Sequence, residues 1–186
     1  MRVITGTAKG HRLKAPKGMS TRPMLDRVKE ALFSILDGMH AVRGRVLDLY
    51  AGTGSLGIES LSRGAEWADF VEQNAHVCRI IAENLEHTRM QDRARVHQMP
   101  VARYLASVRP AEKYAIITMD PPYADPAIEA MIEAVAAADL LDDDGIFVVG
   151  HAPRVELAET YGRFRRLRFR RLGDSCFSLY ESGAEG

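Results

Sequence analysis

An apolar run that reaches an acid and then turns through glycines constrains this chain more than any other stretch. Residues 45–57 read Arg-Val-Leu-Asp-Leu-Tyr-Ala-Gly-Thr-Gly-Ser-Leu-Gly. The apolar start predicts a buried strand, and the apolar residues at helical spacing after Gly54 predict an amphipathic helix. Glycine tolerates positive φ and allows a ligand to approach the backbone closely. The stretch therefore predicts a strand, a ligand-binding loop and a helix in succession.

A carboxylate further along the chain indicates which ligand the loop takes. Gly52, Gly54 and Gly57 match the pattern G-x-G-x-x-G, which alone is weak evidence for a nucleotide site. Glu72 ends the next apolar run, 20 positions after Gly52, and this is the spacing at which an acid reaches ribose hydroxyls. Asp48 would repel the pyrophosphate of a nicotinamide or flavin dinucleotide, which is the obvious alternative ligand. The pattern therefore favours S-adenosylmethionine, which joins adenosine to a cation.

The order of predicted elements indicates an α/β fold. Strands that alternate with helices imply a doubly wound, mostly parallel sheet with ligands at the carboxyl ends of its strands. The last two segments are predicted to close the sheet as an antiparallel pair. Predicted strands cover 46–49, 67–72, 95–98, 114–120, 146–149, 163–171 and 176–180, and predicted helices cover 24–37, 55–63, 74–88, 101–108 and 126–138, with a hairpin over 2–15 and an acidic turn over 142–145.

Basic residues are concentrated in two segments. Residues 1–45 carry ten Lys or Arg against three Asp or Glu, although the formal net charge of the whole chain is zero. Residues 163–171 add six arginines and no acid. Charge segregated in this way suits a polyanionic partner in spite of the neutral balance.

The N-terminal segment is predicted to be an addition to the main domain. We divide the chain into a basic extension, 1–40, that packs on the core and a domain over 41–186. Thr21-Arg22-Pro23 is a helix-start signal. Arg22, Arg27 and Lys29 are expected on or near the exposed side of the helix that follows.

Length and composition bound the class of protein. The 186 residues, 46% hydrophobic and 27% charged, suit one globular core domain. No apolar run approaches the roughly 20 residues that cross a bilayer, and the N-terminus lacks a signal-peptide core, so the cytoplasm is the expected location. Cys78 and Cys176 are expected to be reduced thiols, buried or half-buried. The six histidines show no metal spacing, so no metal is expected.

The tetrad Asp120-Pro121-Pro122-Tyr123 is the most specific signal in the chain. A primary aromatic amine is a poor nucleophile because its lone pair is delocalised into the ring. Asp120 and the carbonyl of Pro121 would accept its two hydrogens and aim the lone pair at a methyl group, and the prolines hold that carbonyl stiffly because their φ is fixed. Tyr123 would stack on the base. The tetrad therefore predicts methyl transfer driven by positioning and preorganised electrostatics.

Together these motifs resemble the RsmD-type family of small-subunit rRNA (guanine-N2) methyltransferases over nearly the whole chain. The resemblance implies a Rossmann-like class I methyltransferase sheet, S-adenosylmethionine as donor and the N2 amine of a guanine in 16S rRNA as acceptor. It rests on Arg2-Val-Ile-Thr-Gly6, Thr21-Arg22-Pro23, Asp26-Arg27-Val-Lys-Glu-Ala-Leu-Phe33, the run from Leu47 to Ala65, Asp120-Pro-Pro-Tyr123 and Gly173-Asp174.

The resemblance also implies site residues. Asp120, Pro121 and Tyr123 would be catalytic. The donor would be bound by Asp48, Tyr50, Gly52, Thr53, Gly54, Glu72, Gln73, Gln98 and Met99.

Two departures from the family pattern affect these roles. Members usually carry an Asp-Ala pair after the third strand, whose Asp contacts the adenine amine, and this chain has Met99-Pro100 there. Backbone groups near Gln98 and Met99 are therefore expected to bind the adenine. An acid commonly follows the fifth strand, where this chain has Gly150-His151, so no role is claimed for His151.

The basic segments suit an RNA substrate, whose target base must be splayed or flipped out to reach Asp120. The expected partner is 16S rRNA or the assembling small subunit, and the expected state is a monomer. The arginines of 163–171 either contact RNA or prevent edge pairing, on a strand face interleaved with buried Phe164, Leu167 and Phe169. Phosphate contacts are expected from Arg2, Lys9, Arg12, Arg22 and Arg27.

Two other functions stay open at this stage. A different amino-methyltransferase, acting on adenine N6 or on a glutamine amide, would use the same tetrad. A glutamine-modifying enzyme would not need the basic extension, and an adenine enzyme usually has a larger target-recognition region. The third interpretation is a non-catalytic RNA-binding module on the same fold, against which the intact Asp120 and glycines argue.

Overall fold

The computed structural model describes residues 1–16, 26–109, 113–122 and 125–183. These residues form an eight-stranded sheet with flanking helices, which confirms the predicted α/β class. The strands are β1 (Arg45–Leu49), β2 (Trp67–Glu72), β3 (Ala94–Gln98), β4 (Tyr114–Met119), β5 (Leu141–His151), β6 (Thr160–Tyr161), β7 (Phe164–Leu172) and β8 (Ser175–Ser182). The helices are α1 (Asp26–Gly38), α2 (Ser55–Ser62), α3 (Ala75–His87), α4 (Val101–Ser107) and α5 (Ile128–Ala137), with a 3-10 turn at Gln91–Arg93.

The strand order is β3-β2-β1-β4-β5-β8-β7-β6. The first five strands in this order are parallel, and β8, β7 and β6 are antiparallel. The chain moves outward in one direction from β1 and in the other from β4. A switch of this kind leaves a crevice at the carboxyl ends of the two strands, where ligands bind in open α/β sheets.

Both faces of the central strands are covered. Val46 of β1 belongs to a core cluster shared with α1, α2 and α3, whereas its neighbour Leu47 belongs to a second cluster shared with α4 and α5. This two-sided burial explains why the central strands read as continuous apolar runs. Gly57 lets α2 pack closely on β2, because a Cβ at this position would lie 2.3 Å from Cε1 of Phe70.

The predicted N-terminal hairpin is reduced to an isolated antiparallel bridge between Arg2 and Arg12. The N–H of Val3 donates to the carbonyl of His11 at 3.0 Å, and the N–H of Gly10 donates to the carbonyl of Val3 at 2.9 Å. The segment packs on the core through the buried side chains of Val3, Ala8 and Leu13. The start of the predicted helix at 24 lies outside the described residues, and the division at residue 40 stays a prediction.

The expectation of an exposed Lys29 is wrong. Its side chain is 0% exposed, and its Nζ lies 3.2 Å from Oε2 of Glu59, which is equally buried. The ammonium also donates to the carbonyl of Arg2 at 2.5 Å and to Oγ of Ser55 at 3.0 Å. Position 29 lies three residues before the buried Leu32 and so on the same helix face. Burial lowers the pKa of Lys29, and the nearby carboxylate opposes that shift.

Glu59 of α2 also accepts hydrogen bonds from the backbone of the N-terminal extension. Its two carboxylate oxygens accept from the N–H of Ile4 at 2.8 Å and of Thr5 at 3.1 Å. The Nε of Arg63 donates to the same carboxylate at 2.8 Å. These donors satisfy a charge that would otherwise be costly to bury.

The acidic stretch 142–145 was predicted as a turn, but it lies within β5. Leu141 is already paired with Tyr114, and Ile146 is paired with Ile116. The residues between Leu141 and Ile146 therefore bulge out of the ladder. The strand therefore begins earlier than predicted, because Leu141 pairs with β4 before the bulge and pairing resumes at Ile146 after it.

The predicted burial along the arginine-rich strand β7 is correct only at its first apolar residue. Phe164 is 1% exposed, but Leu167 is 40% exposed and Phe169 is 44% exposed. The register with β8 shifts between Arg166 and Arg168. Leu167 is the extra residue of this β-bulge. Phe169 therefore lies on the same face of β7 as Phe164, since their partners Ser178 and Ser182 are four residues apart on β8.

Three further observations concern the described residues. No helix among them is long and apolar enough to span a bilayer. They contain no group of three or more His, Cys, Asp or Glu side chains placed to hold a metal ion. Cys78 and Cys176 are buried free thiols, as predicted.

Candidate active site

The carboxyl ends of β1, β2 and β4 lie at one edge of the sheet. Leu49, the last residue of β1, is level with Val71 of β2 and Met119 of β4. The residues that follow these two partners, Glu72 and Asp120, therefore lie on either side of the loop after β1. The sheet thus brings together the three elements that the sequence predicts to share an edge.

The loop after β1 is shaped by residues in the left-handed region. The φ angles are 56° at Tyr50, 54° at Gly52 and 77° at Gly54. The N–H of Gly54 donates to the carbonyl of Ala51 at 2.8 Å, which closes the turn from which α2 starts. Glu72 is joined to the loop because its Oε2 accepts from the N–H of Gly52 at 3.3 Å.

The third strand ends beside Glu72. Gln98 is level with Glu72 in the parallel ladder, and the N–H of Met99 donates to the carbonyl of Glu72 at 3.1 Å. Gln73 and Gln98 are exposed, and Met99 is half-buried. The predicted adenine-contacting residues therefore adjoin the predicted ribose-binding carboxylate. Pro100 precedes α4 as its N-cap residue.

Asp48 lies beneath the loop and is 2% exposed. Its Oδ2 accepts from the N–H of Gly57 at 3.0 Å, and its Oδ1 accepts from Oγ1 of Thr118 at 2.9 Å. The carboxyl group therefore joins β1, β4 and the first turn of α2. Burial raises the pKa of Asp48 to about 7, with smaller contributions from the charges of Asp120 and Glu72. Three carboxyl groups thus converge at this edge.

Asp120 is half-buried directly after β4. Burial raises the pKa of its carboxyl group to about 7. The carboxyl group lies against Gly150 of β5, where an added Cβ would be 2.3 Å from Oδ1 of Asp120. Pro121 is buried and Pro122 is exposed. Tyr123 lies outside the described residues.

A buried set of hydrogen bonds beneath the loop was not predicted from the sequence. Asn84 of α3 is 1% exposed. Its Nδ2 donates to the carbonyl of Thr53 at 2.9 Å and to the carbonyl of Lys14 at 3.0 Å, and its Oδ1 accepts from the N–H of Lys14 at 2.8 Å. An amide side chain between Ile81 and Leu85, on an otherwise apolar helix face, is the sequence signal that could have indicated this role. Thr118 and Gly150 were missed because their roles depend on the neighbouring strand.

The structure shows most of the predicted phosphate-contacting residues on the surface. Arg2, Lys9, Arg12 and Arg27 are exposed, and Nε of Arg2 lies 3.6 Å from a carboxylate oxygen of Asp26. Arg22 lies outside the described residues. Arg2, Lys9, Arg12 and Arg27 are thus exposed to a polyanion, whereas Lys14 is paired with Glu83 and Lys29 is buried.

Comparisons with known proteins identify relatives of this chain over nearly its whole length. The family model described as conserved hypothetical protein 95 matches residues 1–181. The putative rRNA methyltransferase YlbH of Bacillus subtilis is 37% identical over 182 residues, 97% of this chain and 98% of that protein. Ribosomal RNA small subunit methyltransferase D of Escherichia coli is 30% identical over 186 residues, 100% of this chain and 92% of that protein.

A solved structure shows the same fold. The putative methyltransferase yhhF from Escherichia coli matches with a TM-score of 0.85 and 29% identity, over 100% of this chain and 99% of that chain. The resemblance carried by the sequence motifs is confirmed by a family match over nearly the whole chain. This chain belongs to the RsmD-type methyltransferase family, whose model is described as conserved hypothetical protein 95.

Proposed function

We propose that this protein transfers a methyl group from S-adenosylmethionine to the exocyclic N2 amine of a guanine in 16S rRNA. The observation that carries the proposal is the position of Asp120, a carboxyl group at the end of β4 that is followed by two prolines and lies beside the glycine loop. The family supports rRNA as the acceptor, because the Escherichia coli relative is named a ribosomal RNA small subunit methyltransferase.

The groups around the loop fit S-adenosylmethionine. The carboxylate of Glu72 suits a ribose diol, and the left-handed glycines leave the backbone open to close approach. Asp48 and Asp120 add negative potential that suits a cation rather than a pyrophosphate. When bound, S-adenosylmethionine supplies a methyl group activated by the positive charge on its sulfur. Donor contacts are also proposed for Tyr50, Gly52, Thr53, Gly54, Gln73, Gln98 and Met99.

The tetrad would prepare the acceptor. Ionised Asp120 accepts one hydrogen of the amine, and the carbonyl of Pro121 accepts the other, so the nitrogen lone pair points away from both. Tyr123 is proposed to stack on the guanine. After transfer the nitrogen carries one proton too many, which passes to the Asp120 carboxylate or to water. Holding two reactants in this alignment supplies much of a rate enhancement.

The RNA would be held by the exposed cations of the extension. Neutralising phosphates with Lys and Arg supplies most of the non-specific affinity for nucleic acid. The proposed partner is 16S rRNA, free or in the assembling small subunit, and the proposed working state is a monomer. The contacting residues would be Arg2, Lys9, Arg12, Arg22 and Arg27.

Transfer to mapped RNA tests the proposal. The protein is incubated with labelled S-adenosylmethionine and either bare 16S rRNA or small subunits from an unmethylated strain, and the product is located by mass spectrometry. N2-methylguanine is expected. Label found on adenine, or on protein alone, would refute the proposed acceptor.

A pair of variants tests the catalytic assignment. Asp120→Ala should abolish transfer and retain donor binding, measured by calorimetry. Asp143→Ala is the matched control, since it removes an exposed carboxyl group on the bulge of β5 and should change neither property. Normal turnover by Asp120→Ala would show that the chemistry occurs elsewhere.

A further inference from the structure

The arginine-rich strand β7 has an outer edge that is largely uncovered. β6 is two residues long and pairs only with Phe164 and Arg165. Beyond Arg166, the part of the chain that the structure describes places no strand on this edge. The edge therefore offers backbone N–H groups as well as side chains to a partner.

The arginines at the start of β7 are neutralised within the protein. Arg165 forms an ion pair with Glu181, and Arg166 forms one with Glu159. Their charges are therefore partly balanced before any polyanion arrives.

The residues from Leu167 to Arg171 form the open segment of β7, and its arginines lie in a different environment. Arg168, Arg170 and Arg171 are exposed. Their partners across the ladder carry no charge, in contrast to the partner of Arg165. These partners are Leu179, Phe177 and Cys176.

The open segment ends level with the carboxyl ends of the parallel strands, where the candidate active site lies. His151 of β5 is paired with Cys176 of β8, which is in turn paired with Arg171 of β7. His151 follows Gly150, against which the Asp120 carboxyl group lies. Three strand spacings of about 4.8 Å place β7 about 14 Å from β4. Nucleotides that flank a base held at Asp120 would therefore reach these arginines.

An aromatic ring lies among the arginines. Phe169 is 44% exposed, and its ring centroid lies 5.9 Å from that of the buried His151. The Nε2 of His151 lies 3.0 Å from Oγ of Ser178, which holds the imidazole in place. One face of Phe169 is thus supported while the ring remains accessible. Exposed aromatic rings among cations are typical of surfaces on which unpaired bases stack.

We propose that the open segment of β7, Leu167 to Arg171, binds the rRNA strand that flanks the target guanine. Arg168, Arg170 and Arg171 neutralise its phosphates, and Phe169 stacks on an unpaired base. This inference rests on the proposed function and adds a second RNA-contacting surface to that of the N-terminal extension. RNA is favoured over a protein partner because the segment carries three arginines and no acid.

Salt-dependent binding tests the phosphate contacts. The affinity for bare 16S rRNA from an unmethylated strain is measured by filter binding over a series of salt concentrations. Each lost phosphate contact lowers the slope of log K against log salt by about 0.7 to 0.9. Arg168→Gln/Arg170→Gln should therefore give a shallower slope by roughly 1.4 to 1.8 and weaker binding.

The control removes the same charge elsewhere. Arg95→Gln/Arg109→Gln changes two exposed arginines near the starts of β3 and β4, away from the carboxyl ends of the strands. It should leave the slope as in the wild type. Phe169→Ser should weaken binding by about tenfold with an unchanged slope, because it removes stacking and no charge.

The outcomes separate this proposal from the proposed function. A wild-type slope for Arg168→Gln/Arg170→Gln would overturn the inference, and so would unchanged RNA affinity with self-association in gel filtration, which would assign the arginines to edge protection. Either result would leave the proposed function intact if the wild-type protein forms N2-methylguanine. Failure of the wild-type protein to methylate RNA would instead refute the proposed function itself.

Discussion

Gly150→Ala tests whether the position of the Asp120 carboxyl group limits the reaction. The added Cβ would lie 2.3 Å from Oδ1 of Asp120, where ordinary contact begins at 3.4 Å. The carboxyl group must therefore retreat by about 1 Å, and a misplacement of this size is expected to lower kcat about 100-fold. The substitution removes no functional group and leaves the glycine loop and Glu72 in place, so donor affinity should stay within twofold.

The assay combines single-turnover methyl transfer with donor calorimetry and thermal melting. Gly38→Ala at the end of α1 is the control, because an added Cβ there would meet nothing within 4 Å. This variant should keep kcat near the wild-type value. The reasoning is refuted if Gly150→Ala retains a kcat within threefold of wild type while its melting temperature and donor affinity are unchanged.

Three other perturbations address charge and burial. The pKa of Asp120 is raised to about 7, and its ionised form accepts the amine hydrogen, so kcat/KM should rise with pH through about 7. A pH–rate profile in which kcat/KM falls over that range would contradict this role. Asn84→Ala should weaken donor binding and lower the free energy of unfolding by about 2 kcal/mol, because the carbonyl of Thr53 and the N–H of Lys14 lose a buried partner. Calorimetry measures the donor affinity and urea titration measures the stability. Unchanged donor affinity would show that Asn84 does not support the loop. Lys29→Met should lower the free energy of unfolding by about 3 kcal/mol in the same titration, whereas a neutral effect would mean that Glu59 is fully satisfied by its other donors.

Local sequence patterns were sufficient to predict the fold class and the end of the parallel strands at which the candidate site lies. The periodicity around Asp48 predicts a strand, a loop and a helix, and each of these elements is observed. Parallel pairing then brings Glu72 and Asp120 to the loop, since the carboxyl ends of parallel strands share an edge. These predictions succeeded because they depend on residues close in sequence or on a general property of the sheet.

The features that sequence reasoning missed depend on distant partners. Lys29 is buried because Glu59, on another helix, offers a carboxylate at 3.2 Å, and no local pattern contains that pairing. The bulge at Leu167 places Phe169 on the same face of β7 as the buried Phe164, so the exposure of Phe169 reflects a lack of packing at that end of the strand and not a change of face. Gly150 gains its importance only when β5 lies beside Asp120.

The buried ion pair between Lys29 and Glu59 limits how the N-terminal extension can be exchanged between relatives. A chimera that takes residues 1–40 from one protein and the remaining domain from another would join an ammonium and a carboxylate that evolved apart. If either partner were replaced by an apolar residue, the other would be left charged and desolvated. Grafting experiments that aim to transfer RNA preference must therefore move Lys29 and Glu59 as a unit, even though they lie on opposite sides of the proposed boundary.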